Sequence, residues 1–320
     1  MRLLKAMVKS ILKVGLETVS FLFAPLFSLV ARTGFGMDVC WKYGFLPLPA
    51  HYYSPVPDRN RLARFDWDKR ANLYGIVFHE ASQIDLLNRL SRYREECRWP
   101  DSKQEGKYYT LNGQFGYSSA CLLHTMLRMF RPARVIEVGA GFSTHIICDA
   151  LQRNAEEGNK GALISIEPYP SHILRSAQAK YGIDVLEKPV EDIPFSIFEQ
   201  LQSGDMLFID SSHVVRIGGD INALYLEILP RLAPGVIIHV HDIYLPYEYP
   251  KSNYFGSQAK YIWTEQYLLQ AFLCFNSSFR TLLAAYWLQK THPSEFLSAF
   301  SDYDSQRHRP SSSFYFQRIQ

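Results

Sequence analysis

Residues 135–145 read VIEVGAGFSTH. A short run rich in β-branched residues stops at two glycines separated by one residue, and a helix-compatible stretch opens near Ser143. Gly139 and Gly141 let the chain turn tightly and bring bare backbone close to a ligand, because no Cβ intervenes. The helix that follows offers unpaired N–H groups at its positive end. Thr144 stands where a dinucleotide-binding GxGxxG turn has its third glycine. Glu137 lies two residues before the first glycine, where it would repel a pyrophosphate and suit a cationic or amine-bearing ligand. The plainer alternative is an ordinary strand-to-helix turn.

Outward from this stretch, short apolar runs recur at 134–138, 162–166, 183–187, 206–210 and 236–240. Helical candidates lie between and after them, near 143–155, 171–181, 195–203, 218–229 and 261–275. That rhythm predicts βαβ units, an α/β fold whose parallel sheet carries helices on both faces. TLLAAYWL at 281–288 and SFYFQRI at 313–319 predict a final strand pair with a short helical segment between them. Upstream, 118–130 has helical periodicity closed by Arg131-Pro132, and the pattern from 68 to 97 reads as helical, with Leu86, Leu87 and Leu90 at helical spacing and Asp85 near the start. Residues 37–60 are rich in proline and aromatics and read as an extended connector. The expected organisation is a basic and apolar arm at 1–36, a connector and helical cap at 37–115, and a core at 116–320.

ISIEP at 164–168 places Glu167 at the end of the second predicted strand, where a carboxylate can accept both hydroxyls of a ribose. The alternative is a solvated carboxylate at a strand end. The set EVGAG, ISIEP and MLFID, ordered on alternating strands, resembles a class I S-adenosylmethionine-dependent methyltransferase over roughly residues 110–320. The string FIDSSHVVRIGGDINALYLEILPRLAPGVIIHVHDIYLPYEYP resembles the bacterial subfamily labelled methyltransferase family 24. The resemblance implies a Rossmann-like, seven-stranded, mostly parallel sheet with an antiparallel final hairpin. It implies Glu137, Gly139, Gly141 and Ser143 for the methionine part of S-adenosylmethionine, Glu167 for its ribose and Asp192 for its adenine. It also implies that Asn112–Phe115 close over the cofactor. Ser143 departs from the family pattern, which has a third glycine there.

Asp210, His213, His241 and Asp242 are the candidates for chemistry. Asp210 ends the fourth strand and His241-Asp242 the fifth, and ligands of an open parallel sheet sit beyond the carboxyl ends of its strands. The cation-dependent O-methyltransferases, similar in outline, place an Asp and an Asp-Asn pair there around one magnesium ion, with a Lys three residues after the first Asp. Here His213 holds the place of that Lys, a residue type suited to general-base work near neutral pH. Asp210, His241 and Asp242 form the expected metal set for a divalent cation such as magnesium, although an imidazole suits a softer ion better. His239 shares the strand face of His241 and has a structural role as its alternative. The expected reaction is O-methylation of a small-molecule or glycan hydroxyl, with Asp210 and His213 as catalytic residues. Tyr244, Tyr254, Trp263 and LPYEYP at 245–250 offer rings for an acceptor, or simply pack on one another. Glu265 is read either as an acceptor of a sugar hydroxyl or as a helix-start carboxylate.

The chain has 320 residues, 47% hydrophobic and 20% charged, a composition that excludes disorder as the main state. A net charge of +3 without a concentrated basic face argues against nucleic acid as a partner. The five scattered cysteines form no CxxC pair, so neither a zinc site nor a disulfide framework is expected, and a reducing compartment fits. No GxSxG elbow supports a hydrolase. Arg2, Lys5, Lys9 and Lys13 precede the uncharged stretch 18–31. Such a segment suits an interfacial helix at the inner face of the membrane, an arm against the chain's own body or a second copy, or a spanning or secretory segment. A cytoplasmic cofactor favours the first two. The rival to an enzyme is an inactive cofactor-binding module that serves a membrane or protein partner.

Overall fold

The computed structural model describes residues 2–49, 51–255 and 262–320, with residues 2–9 described by backbone course alone. It divides into two compact units, one ending at Asp66 and one running from Trp67 to Gln320. In the first, α1 (Arg2–Thr33) is a 32-residue helix. Gly34 and Gly36, at φ +75 and +83, take the left-handed conformation that ends it. The next stretch, expected as extended, begins with a short helix, α2 (Met37–Lys42). Asp38 in its first turn and Lys42 in its last complement the helix dipole. Asp58 caps α3 (Arg59–Ala63), its carboxylate accepting from the Arg61 N–H at 2.8 Å.

The second unit opens with irregular chain. Of the helix expected from 68 to 97, only α4 (Glu80–Leu90) forms, continued by a 3₁₀ segment at Ser91–Glu96. Gly75 at φ +71 and His79 at φ +49 keep the preceding residues out of it. Leu86, Leu87 and Leu90 are buried as the periodicity requires. Buried Gln83 ties α4 to the sheet by accepting from the Ala284 N–H at 2.7 Å. α5 (Tyr117–Phe130) follows, and its first twelve residues are buried.

Then the alternation begins: β1 (Arg134–Val138), α6 (Phe142–Glu156), β2 (Ala162–Ile166), α7 (His172–Tyr181), β3 (Asp184–Leu186) and β4 (Met206–Ile209). The helix expected at 195–203 is a 3₁₀ segment at Phe195–Gln200. α8 starts as Asp220–Asn222 and runs on with π-type bonding through Ala223–Ile228. β5 (Ile237–Val240), α9 (Glu265–Leu273), β6 (Phe279–Ala284), α10 (Ala285–Thr291), α11 (Pro293–Ser298) and β7 (Phe314–Arg318) complete the chain. The helix expected from 261 starts at Glu265, and residue 261 itself lies outside the described residues. The strand expected over 281–288 ends at Ala284. There the Ala285 N–H turns to the Ser313 carbonyl at 3.0 Å, and Trp287 and Leu288 bury themselves on a helix instead.

The sheet order is β3-β2-β1-β4-β5-β7-β6, parallel throughout except that β7 runs antiparallel to β5 and β6. This is the seven-stranded arrangement of class I methyltransferases. Strands β4 and β5 are wholly buried, which explains their unbroken apolar runs. Their register decides where the site lies. Each residue just past a strand donates its N–H to the last residue of the neighbouring strand. Glu167 donates to Leu186 at 3.1 Å, Gly139 to Ile166 at 3.0 Å, Asp210 to Val138 at 2.8 Å and His241 to Ile209 at 2.9 Å. Four sequence-distant residues therefore stand side by side along one edge of the sheet.

Candidate active site

At the β1–α6 turn the backbone crosses closely over β4. A Cβ on Gly139 would lie 1.9 Å from the Asp210 carbonyl oxygen, and its φ is +80, so glycine is required twice over. A Cβ on Gly141 would meet nothing within 4 Å, so that residue borders open space. Below the turn Glu137 is fully buried. Its carboxylate accepts from the hydroxyls of Ser165 at 2.6 Å, Ser143 at 2.7 Å and Thr144 at 2.9 Å. Thr144 in turn accepts from the Gly141 N–H at 3.1 Å. Thus Glu137 and Ser143 hold the turn from beneath. Glu167 flanks the turn, accepting from the Ala140 N–H at 3.3 Å and the Tyr169 N–H at 2.8 Å. Asp192 is exposed, in a 3₁₀ turn after β3.

Beyond β4 and β5 the charged groups converge. His213 Nε2 lies 3.2 Å from Asp210 and 3.8 Å from Asp242, and His213 Nδ1 lies 2.7 Å from Glu265. His241 Nδ1 is 3.3 Å from Asp210 and 3.7 Å from Asp242, while its Nε2 is 3.3 Å from the Ser312 hydroxyl. Ser312 donates to Asp242 at 2.8 Å. One ligand atom from each of Asp210, His241 and Asp242 can be chosen so that all three lie within 4.8 Å of one another. His213 and Asp242 both adopt left-handed backbone, at φ +58 and +56, a conformation rare outside glycine and common at functional sites. Three bonds bolt the His213 loop to the start of α9. The Thr264 and Glu265 N–H groups donate to the His213 carbonyl at 2.8 and 3.1 Å, and the Val215 N–H donates to the Thr264 hydroxyl at 2.8 Å.

A family model described as a methyltransferase domain matches residues 136–243, the stretch that carries both the turn and this cluster. Residues 136–243 are a methyltransferase domain. A domain of this class takes its methyl group from S-adenosylmethionine. Over 176 residues the chain is 29% identical to an uncharacterised protein of Archaeoglobus fulgidus, covering 52% of this chain and 79% of that one. Distant likeness extends to solved structures. CmcI with SAH aligns at TM-score 0.36 and 10% identity, over 86% of this chain and 98% of that one. Burkholderia thailandensis 1,6-didemethyltoxoflavin-N1-methyltransferase, bound to 1,6-didemethyltoxoflavin and S-adenosylhomocysteine, aligns at TM-score 0.36 and 11% identity, over 84% and 99%.

Burial raises the proton affinity of the domain's Glu137 to a pKa of about 7, against the opposing pull of its three hydroxyl donors. Around His213, burial disfavours the charged ring, but Asp210, Glu265 and Asp242 outweigh it and hold the imidazole protonated. His241 follows the same pattern, with Asp242 and Asp210 overcoming burial. Asp210 is held well below the usual carboxylate range, because the two imidazoles outweigh the burial that would raise it. The cluster beyond β4 and β5 is therefore an alternating mesh of charge, whereas the turn is held by neutral donors.

Several expected placements change. Glu137 has its oxygens turned to three hydroxyls inside the methyltransferase domain, so it supports the turn rather than facing a ligand. Glu265 is fully buried and accepts from the Tyr225 hydroxyl at 3.0 Å besides facing His213, so no sugar hydroxyl reaches it. His213 meets carboxylates at both ring nitrogens instead of presenting a free lone pair. Asn112 staples its own loop, accepting from the Gln114 and Phe115 N–H groups and donating to the Tyr109 and Phe115 carbonyls at 2.7–2.8 Å. Of the loop expected to close over the cofactor, Phe115 reaches the charged cluster, its ring 4.7 Å from that of His241. His239 lies beneath His241, stacked 4.0 Å from Tyr315, and burial keeps it neutral. The aromatic loop packs on itself: Tyr244 against Tyr249 and Tyr286, Tyr249 against Trp263 and Tyr267, Tyr254 against Trp67. Trp263 also covers His213, at 4.8 Å between ring centres. Glu265 as partner of His213 was not evident in the sequence; its place at a helix start was the only signal.

Proposed function

We propose that the chain is an S-adenosylmethionine-dependent O-methyltransferase in which His213 is the general base. The observation that carries this reading is the Glu265–His213 contact of 2.7 Å, with His213 Nε2 aimed across the carboxyl ends of β4 and β5. An orienting carboxylate behind an imidazole whose far nitrogen faces the reacting space is the arrangement that activates a hydroxyl. Gly139 and Gly141 let backbone approach the cofactor, Glu167 takes its ribose, Asp192 its adenine, and Asp210 sits where charge on the methionine end would be met. The cofactor supplies a sulfonium-bound methyl group for displacement at carbon. Glu265 keeps the Nδ1 proton of His213 in place, and Nε2 is the atom at which the acceptor's proton arrives. Since the surrounding carboxylates favour the protonated ring at rest, the Nε2 proton must first pass to the adjacent, partly exposed Asp210 carboxylate at 3.2 Å and from there to solvent, which frees Nε2 to take the acceptor's proton.

Asp210, His241 and Asp242 would hold a divalent cation. Two carboxylates and one imidazole fit an ion that accepts nitrogen, such as manganese or zinc, better than magnesium, which favours an all-oxygen set. The acceptor is a small-molecule or glycan hydroxyl, and the site of action is cytoplasmic.

Calorimetric titration with S-adenosylmethionine, followed by transfer of a labelled methyl group to a panel of hydroxyl acceptors, tests the reading. The parent chain binds and transfers; His213→Ala binds and does not transfer; Glu167→Ala binds weakly. Unchanged transfer in His213→Ala would overturn the base assignment. Binding with no transfer to any acceptor leaves the non-catalytic module as the better reading.

A further inference from the structure

The exposed surface of α1 is unlike any other in the chain. Within Ser10–Thr33 an 18-residue stretch has a mean hydropathy of 1.8, and none of that stretch is buried. Phe21 is 81% exposed and Leu22 67%. At 100° per residue, Leu12, Leu16, Val19, Leu22, Phe23 and Leu26 spread over about a third of the circumference, and Phe21 and Val14 extend the apolar arc beyond them. Lys13, Glu17, Ser20 and Ala24 line the opposite strip, and Gly15 and Thr18 fall within the apolar arc. An apolar surface of this extent marks an interaction site.

Several polar groups on the helix find partners within it. Thr18 donates to the Val14 carbonyl at 2.9 Å, Thr33 donates to the Leu29 carbonyl at 2.8 Å, and Lys13 pairs with Glu17 at 3.7 Å. Such a helix can enter hydrocarbon without leaving these groups unpaired. Its charges match a bilayer with anionic headgroups: Arg2, Lys5, Lys9 and Lys13 gather at one end. Past the other end Phe35, Trp41 and Tyr43 are exposed, and Trp and Tyr favour the headgroup level. Phe45 folds back onto Phe27 with ring centres 5.4 Å apart, so the chain after α1 returns along it.

We infer that α1 is a monotopic anchor, lying in the interface of an anionic bilayer with the methyltransferase domain on the same side as Lys9 and Lys13. The occupant of the apolar arc is lipid. Ser10–Thr33 is long and apolar enough to cross a membrane, but its charge pattern disfavours spanning. Four cations precede Val14–Ala31, whereas Arg32 and Lys42 follow closely, so a spanning helix would keep the basic end inside and export the domain. Export would part the domain from a charged cytoplasmic cofactor; this orientation step rests on the methyltransferase reading, while the anchoring does not.

Flotation of the full chain with phosphatidylcholine vesicles, with and without phosphatidylglycerol, tests the anchor. The parent chain floats, most strongly with the anionic vesicles. Phe21→Glu with Leu22→Glu abolishes flotation and leaves thermal unfolding of the core unchanged. Lys9→Gln with Lys13→Gln weakens anionic binding by about tenfold or more, since each cation near the surface is worth about fivefold. A parent chain that does not float, or flotation that survives Phe21→Glu with Leu22→Glu, overturns the anchor. So does a result in which that variant dissociates a dimer with no effect on flotation, because the partner is then a second copy. Sidedness is read by a membrane-impermeant thiol reagent on Ser10→Cys and Lys160→Cys in intact cells, against the parent chain. Both stay unlabelled until the cells are permeabilised if the placement is right. Labelling of Lys160→Cys alone in intact cells overturns the monotopic placement in favour of a span. Flotation without calorimetric binding of S-adenosylmethionine overturns the functional reading and leaves the anchor standing.

Discussion

Two glutamates, Glu137 and Glu265, are both fully buried at the carboxyl edge of the sheet, and the fold treats them in opposite ways. Glu137 receives three neutral hydroxyls, and burial still lifts its pKa to about 7. Glu265 is also raised by burial, but it faces an imidazole at 2.7 Å that pulls the other way. Neutral donors satisfy a carboxylate's lone pairs without supplying the opposite charge that burial demands, so the group tends to take a proton. A charged partner offsets part of that burial cost and fixes ring and oxygens in one geometry. One glutamate therefore holds a turn, and the other holds the His213 ring.

That contrast can be broken at its most rigid point first. Gly139→Ala places a methyl group against the Asp210 carbonyl at φ +80, and should cost about 3 kcal/mol or more. Thermal or urea unfolding measures this; a loss under 1 kcal/mol would show that the turn is softer than its geometry. Next, Glu265→Gln should lower kcat about a hundredfold while S-adenosylmethionine affinity stays within about twofold. A fall in affinity with kcat unchanged would assign Glu265 to scaffolding after all. Asp242→Asn should weaken divalent-cation binding about tenfold, read by calorimetry with manganese or zinc. An affinity equal to that of the parent chain would remove Asp242 from the metal set.

The smallest effect at any single pH belongs to Glu137→Gln, which should leave stability near neutral pH within about 1 kcal/mol of the parent chain. Its signature is the pH dependence. The folded state binds the Glu137 proton more tightly than the unfolded chain, whose ordinary value is 4.5. The stability this group adds is thus fully present below about pH 4.5 and is lost as the pH rises through about 7. Glu137→Gln removes that decline. A parent chain that instead gains stability across the same window, relative to Glu137→Gln, would mean that Glu137 is ionised in the folded state.

Much of the fold was legible because its signals are local. A β-branched run, a glycine turn and a helix start occupy neighbouring residues, so β1, β2, β4 and β5 fall within a residue of their expected bounds. The side-by-side placement of Asp210 and His241 also followed from strand ends alone, since register in a parallel sheet aligns them. The misreadings share one cause. TLLAAYWL has strand-like composition throughout, and only Gln83 and Ser313, reached across the fold, show where pairing stops. The aromatic loop looked equally like an open platform, until its rings were found packed on each other.

The sequence by itself determined the order of strands and helices, the glycine turn, and the residue types gathered at the sheet's edge. Periodicity and backbone chemistry act over a few residues and need no partner to be read. The tertiary structure alone decided what each charged group meets. Glu265 lies 52 residues from His213, and their contact depends on α9 docking its first turn onto the His213 carbonyl. Burial and charge pairing are properties of a site in space, and they separate two glutamates that a sequence writes with the same letter.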